Sequence, residues 1–220
     1  MAAIASSGVS YIRDDLNAWN WETSTGVYVL PSWDMGWLKA AKANGLKVVG
    51  ILGPNPKYAD QYNPVAMSHL AACIAKTGLI TALEITNEPN KAYASYEGPT
   101  WQTKLAALTN AVSAAVHAVK PSIQVIGFGA QGTQILNMLA MGTTMNGVAY
   151  HPYQYSNSIP ETVYEWQWLE YGSWIAPIDA KAKLLPNGRP NGASARQRLS
   201  TTPIKRTLLP GVSCKRLAWA

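Results

Sequence analysis

The chain has 220 residues, 48% of them hydrophobic and 14% charged, which is enough apolar side chain for the core of one domain and too little charge for wholesale disorder. Its net charge of +6 would suggest a nucleic-acid partner, but residues 1–179 hold nine Lys or Arg against all twelve Asp and Glu, a net −3, whereas 180–220 hold nine Lys or Arg and no acid. The basicity belongs to a tail, which reads as a solvated segment rather than a nucleic-acid site. No apolar run approaches membrane-spanning length, so no membrane partner is expected.

In chain order, Gly8–Asp14 reads as a first strand. Ser32–Asn44 follows as a helix, with Ser32 as its N-cap and Gly45 as its stop. Leu46–Leu52 is a β-branched second strand, and Pro64–Thr77 is a helix ended by Gly78. Leu79–Thr86 is a third strand and Thr100–Val119 a long helix stopped by Pro121. Ile123–Phe128 is a fourth strand, with a helix near Thr133–Ala140. Gly147–Tyr150 is a fifth strand and Pro160–Ile175 a fifth helix. Of the two cysteines, Cys73 falls in an apolar helical stretch and reads as a small buried hydrophobe. Neither a disulfide framework nor a Cys-rich metal site is implied.

Strands alternating with helices imply parallel βαβ units, and near-continuous apolar strands fit a sheet covered on both faces. A doubly wound open sheet is the other architecture with this pattern, but no Gly-x-Gly-x-x-Gly turn follows any strand. The strand ends instead carry Arg13-Asp14-Asp15, Asn87-Glu88 and His151-Pro152-Tyr153, and the C-terminal ends of barrel strands are where chemistry is placed. The expected fold is therefore α/β, an incomplete (β/α)8 TIM-type barrel of about five βα units over 1–178. The remainder, 179–220, is rich in Pro, Ser, Thr and Arg and is expected to be irregular or disordered, as a truncated or frame-altered end would be.

Leu83-Glu84-Ile85-Thr86-Asn87-Glu88-Pro89-Asn90 closes the third strand with an amide and a carboxyl side by side. Glycoside hydrolysis needs a carboxylic acid that protonates the leaving oxygen, and an adjacent Asn suits a sugar 2-hydroxyl. The nine Trp and eleven Tyr, against one Phe, fit the same chemistry, since these rings pair a flat apolar face with a polar handle. Trp19, Trp21 and Trp33 are candidates for a sugar platform, and equally for core or rim positions.

The chain resembles clan A of the glycoside hydrolases, most of all family 39 and related bacterial β-glycosidases. The resemblance rests on Gly8-Val-Ser-Tyr-Ile-Arg-Asp-Asp15, on Glu84–Asn90, on Val148-Ala-Tyr-His-Pro-Tyr153 and, more weakly, on Leu46-Lys-Val-Val-Gly-Ile-Leu-Gly53. It implies a barrel whose strands correspond to the second through sixth. Glu88 would then be the acid/base and Asn87 the 2-hydroxyl contact. Arg13 would support the catalytic carboxylates, an ion pair with Asp14 or Asp15 being the alternative. His151 and Tyr153 would be substrate-side residues, a structural histidine being the alternative for His151, and Trp19 a substrate contact. The resemblance also calls for a nucleophilic glutamate on a seventh strand, yet no Asp or Glu follows Asp179. Glu161, Glu165 and Glu170 fall on the fifth helix and are poor substitutes, while Glu84 is expected to support rather than attack.

The implied function is retaining hydrolysis of β-linked glucan- or xylan-type oligo- or polysaccharides, or sugar binding by a catalytically impaired remnant that lacks the nucleophile. No cofactor and no metal is called for. The expected partner is a carbohydrate substrate. Self-association is expected through barrel edges left open, unless the basic tail covers one. A bacterial secreted or cytoplasmic location is expected, and Met1-Ala2-Ala3-Ile4 does not have the basic start of a signal peptide.

Overall fold

The computed structural model describes residues 1–149 apart from 17, 25 and 128–131. The helix expected at Pro160–Ile175, Glu161, Glu165, Glu170 and the tail 179–220 lie outside the described residues, as do His151 and Tyr153. After a short helix α1 (Ala2–Ser6) comes β1 (Tyr11–Leu16), then α2 (Ala18–Trp21), a hairpin of β2 (Glu22–Ser24) and β3 (Val27–Tyr28), and α3 (Ser32–Ala43). There follow β4 (Lys47–Leu52), α4 (Pro64–Lys76), β5 (Ala82–Ile85), α5 (Ala92–Glu97), α6 (Trp101–Val119), β6 (Gln124–Gly127), α7 (Gly132–Ala140) and β7 (Gly147–Val148).

The main sheet runs β1-β4-β5-β6-β7, and every neighbouring pair is parallel. Strand order thus follows chain order without reversal. Parallel crossovers are right-handed, so an order that never reverses keeps the connecting helices on one face, whereas a doubly wound sheet reverses at a switch point. This is the winding of a (β/α)8 barrel wall, present as a five-strand arc among the described residues. Leu16, Val48, Leu52, Leu83, Ile85 and Val125 join the helices in the main core. Val49, Ala82 and Ile126 form a separate cluster with Tyr11 and Ala149, on the opposite, inner face that strand alternation requires.

The first strand begins at Tyr11 rather than Gly8, because Gly8 has φ 82 and donates back to Ala5 at the end of α1. Pairing then carries the strand to Leu16 opposite Leu52. Ser32 is not the cap of α3. Pro31 holds the N-cap place in extended backbone, Ser32 is the first helical residue, and no side chain caps the end. Asn63 does cap α4, its side chain accepting from Val65 and Ala66 N–H, with Pro64 following where a missing N–H does no harm. Gly45, at φ 71, closes α3 as expected: Gly45 N–H donates to Lys42 O and Leu46 N–H to Ala41 O, the paired bonds of a Schellman motif. Cys73 is partly buried against the main core. α4 buries Ala66, Met67, Leu70, Ala71, Ile74 and Ala75, a helical stripe that packs against α6.

Two predictions arise from this packing. Gly50 faces Asp14 across β1 and β4, and a Cβ there would collide with the fully buried Leu16 side chain. Removing a strand glycine gains only about 0.5–1 kcal/mol of backbone entropy. Overpacking costs about 1–3 kcal/mol, so Gly50→Ala should lower the melting temperature by several degrees in calorimetry. The second concerns Asp34 in the first turn of α3, 6% exposed and accepting from Trp37 Nε1 at 2.7 Å. Burial pushes its carboxyl up to about 6 from its ordinary 3.8; the Trp37 N–H opposes the rise and the charge of Asp14 adds to it. A folded-state value above the unfolded one contributes stability below about pH 4 that is lost as pH rises through about 6. Asp34→Asn should therefore stabilise the chain by about 1–3 kcal/mol at pH 7, with little gain at pH 4, read from urea unfolding at both pH values.

Candidate active site

On the inner face of β1, β4 and β5 one ion pair spans the three strands. Arg13 stands opposite Val49, and Glu84 opposite Ile126, so both lie on the inner face. β4 separates their strands, and two strand spacings of about 4.8 Å each are within reach of an arginine side chain. The guanidinium crosses β4 and grips Glu84 with both forks, Nε to Oε2 at 2.6 Å and Nη2 to Oε1 at 2.7 Å. Glu84 is 1% exposed and Arg13 31%. Arg13 thus takes up the carboxylate of Glu84, and Asp14 Oδ1 accepts the Asp15 N–H.

Nη2 of Arg13 also donates to Asn87 Oδ1 at 2.9 Å. With its oxygen committed, the exposed Asn87 amide presents its NH2 group, a donor suited to a hydroxyl oxygen. Arg13 and Asn87, chosen separately from the sequence, are therefore one unit, with Glu84 as its buried anchor.

The backbone leaves β5 through an uncommon path. Thr86 N–H makes the last ladder bond, to Leu52 O at 3.2 Å, and Thr86 and Glu88 then take φ values of 58° and 45°. The left-handed region is costly for residues with a Cβ and more so for a β-branched one, about 1–3 kcal/mol each. Thr86 is also 2% exposed, and its hydroxyl has no hydrogen-bond partner among the described residues. Glu88 follows with its side chain 17% exposed and Oε2 2.5 Å from Lys91 Nζ. Lys91 N–H bonds Glu88 O at 3.0 Å and Ala94 N–H bonds Pro89 O at 2.7 Å, which starts α5 directly from the turn.

A second buried carboxylate organises the neighbouring loops. Glu22, 2% exposed at the start of the β2–β3 hairpin, accepts Gly26 N–H at 2.7 Å and Tyr58 O–H on Oε1, and Asn55 Nδ2 at 2.5 Å on Oε2. Its main-chain carbonyl takes the Lys57 ammonium. Partial burial, then the bond to Glu22, pushes the Tyr58 hydroxyl up and keeps it a donor. Burial, followed by the charge of Glu22, does the same for Tyr28, which donates to Ala66 O at 3.0 Å. The hairpin is thereby fastened to the loop between β4 and α4. Nothing in the sequence around Glu22, Asn55 or Tyr58 signals this cluster, because its members come from two loops joined only by the fold.

Of the other candidates, Trp21 is 1% exposed in the core and is not a sugar platform. Trp19 lies in α2, with its side chain outside the described residues, as is that of Trp33. His151 and Tyr153 lie outside them altogether. Among the described residues no group of three or more His, Cys, Asp or Glu is placed to hold a metal ion.

No protein-family model matches the chain, and no curated protein matches it. Among solved structures, a family 39 glycoside hydrolase from the gut symbiont Bacteroides cellulosilyticus WH2 aligns at 23% identity and TM-score 0.58, over 70% of this chain and 35% of that one. The two share a fold. The chain spans about a third of that enzyme's length, consistent with an incomplete barrel. A xylanase from Paenibacillus barcinonensis aligns at 11% identity and TM-score 0.48, over 79% of this chain and 68% of that one. An endo-1,4-beta-mannanase from Eisenia fetida aligns at 14% and 0.44, over 73% and 63%.

Breaking the central ion pair tests its weight. Arg13→Met removes the guanidinium from a nearly inaccessible Glu84 and should cost about 3–5 kcal/mol, whereas Arg13→Met with Glu84→Leu should recover most of that loss. Urea unfolding of the two single variants and the double variant measures the coupling.

Proposed function

We propose that this chain carries the acid/base half of a retaining β-glycoside hydrolase acting on β-linked glucan- or xylan-type saccharides, with Glu88 as the acid/base. The observation that supports it best is the strained Thr86–Glu88 turn at the C-terminal end of β5, with Asn87 steered by the Arg13–Glu84 pair. Backbone strain is retained where a surrounding structure over-determines it, and functional turns are where it concentrates. The likeness to a family 39 glycoside hydrolase, with the Asn-Glu-Pro sequence at a strand end, points to the same chemistry.

In this reading Glu88 delivers a proton to the departing glycosidic oxygen and later takes one from water, and Asn87 Nδ2 donates to the sugar 2-hydroxyl. Lys91, with its side chain 55% exposed, is a screened partner that a seated glycoside displaces. Arg13 and Glu84 hold Asn87 without touching the sugar. Retention requires a second carboxyl about 5–5.5 Å from the first. Glu84 is unsuited to that part, since both its oxygens accept from Arg13.

A second reading, sugar binding without turnover, is favoured by one specific observation: Glu84, the other carboxylate of this strand, has both oxygens held by Arg13 and is not free to attack. An aryl β-glycoside panel separates the two. Under the first, Glu88→Gln should lower turnover by about 10²–10⁴-fold, with saccharide binding by calorimetry retained. Equal background turnover in both proteins, with binding intact, would leave only the second.

A further inference from the structure

We propose that Tyr96 is a preformed platform for a pyranose ring, a sugar subsite on the same barrel rim as Glu88; the proposal rests on the glycosidase reading above. Tyr96 lies in α5, which begins at Ala92 just after the Asn87–Glu88 turn, and it is one of the few large apolar side chains left exposed among the described residues, at 43%. Its hydroxyl is doubly tethered to the loop between β4 and α4, donating to Ala59 O at 2.6 Å and accepting the Gln61 N–H at 3.2 Å. The ring leans on Tyr62 with centroids 5.7 Å apart and planes inclined by 58°. Tyr62 is itself wedged edge-on against buried Tyr93 at 4.5 Å.

The tethers explain why this ring stays in the open. An unrestrained tyrosine gains by folding its apolar face onto the surface, whereas here the hydroxyl and Tyr62 hold the ring in one orientation with much of it in solvent. The rotamer freedom that a ligand would have to quench is already gone, and pre-organisation of that kind converts contact into affinity. A pyranose matches what is offered, since its C–H face covers the ring and its hydroxyls remain in water. Placement fits as well. α5 follows the C-terminal end of β5, the end that bears Glu88. Tyr96 lies five residues beyond the Lys91 N–H that closes the Glu88 turn, about 7–8 Å of helix rise. In this proposal a single sugar held at Glu88 would stop short of Tyr96 and a longer saccharide would meet it.

A tether that merely fastens α5 to the loop would need the hydroxyl alone, and substitution separates the roles. Binding of β-1,4-linked xylohexaose and cellohexaose to the full chain is measured by calorimetry, beside kcat/KM for 4-nitrophenyl β-xyloside and β-glucoside. Tyr96→Ala should weaken hexaose binding about tenfold and leave aryl-glycoside kcat/KM within about twofold, while Tyr96→Phe keeps hexaose affinity within about threefold. Should Tyr96→Ala fail to fold, Tyr96→Leu keeps bulk against Tyr62 without a flat face and carries the same expectation. Equal hexaose binding by the unaltered chain and Tyr96→Ala overturns the platform and leaves the role of Glu88 standing. A loss in Tyr96→Phe as large as in Tyr96→Ala also overturns it, because the tether would then be the whole role. Absence of hexaose binding by the unaltered chain overturns it too, and the glycosidase reading falls with it only if aryl glycosides are not turned over either.

Discussion

A carboxylate at 1% exposure on the inner face of a mostly apolar sheet is untenable without a counter-charge, and Arg13 supplies one to Glu84 by reaching across an intervening strand. The bidentate grip aligns two strands that share no hydrogen bonds, and Nη2, one of its two gripping nitrogens, also fixes the amide of Asn87. Every element at this end of the arc is referred to that pair. β5 delivers Glu84 and the turn beyond it, β1 delivers Arg13, and β4 between them is the strand over which they meet.

Around this centre the loops are fastened in series. Glu22 draws the hairpin after β1 onto the loop after β4, and Tyr96 and Tyr62 draw that loop onto α5. The two fastenings differ in kind. Glu22 is a buried charge met by neutral donors and a nearby ammonium, strong but intolerant of change. The tyrosines form a hydrogen-bonded aromatic step whose outermost ring remains partly in solvent.

Much of the arc was legible because its strands and helices are set by local rules. Leu46–Leu52 and Pro64–Thr77 lie within a residue of β4 and α4, since a β-branched run and a capped, Gly-terminated apolar stripe carry their own boundaries. The hairpin and α5 were not legible. They are only a few residues long, and Glu22–Tyr28 holds together through Asn55 and Tyr58, which belong to a different loop. The cap of α3 was misplaced for a similar reason: Ser32 has the right chemistry, but Pro31 occupies the extended position that precedes the helix.

The residues by themselves identified the parallel βα alternation, the Asn-Glu-Pro turn at a strand end, and Arg13 and Asn87 as residues of interest, because periodicity and strand-end polarity are properties of short stretches of chain. They did not tell which carboxylate Arg13 would hold. Asp14 and Asp15 are its neighbours in sequence, whereas Glu84, 71 positions away, becomes its partner only once β4 sets the strand register. Nor did they distinguish Trp21, sealed in the core, from Tyr96, held partly in the open. Exposure and pairing depend on how strands and loops are laid side by side, and that arrangement comes from long-range packing rather than from local sequence.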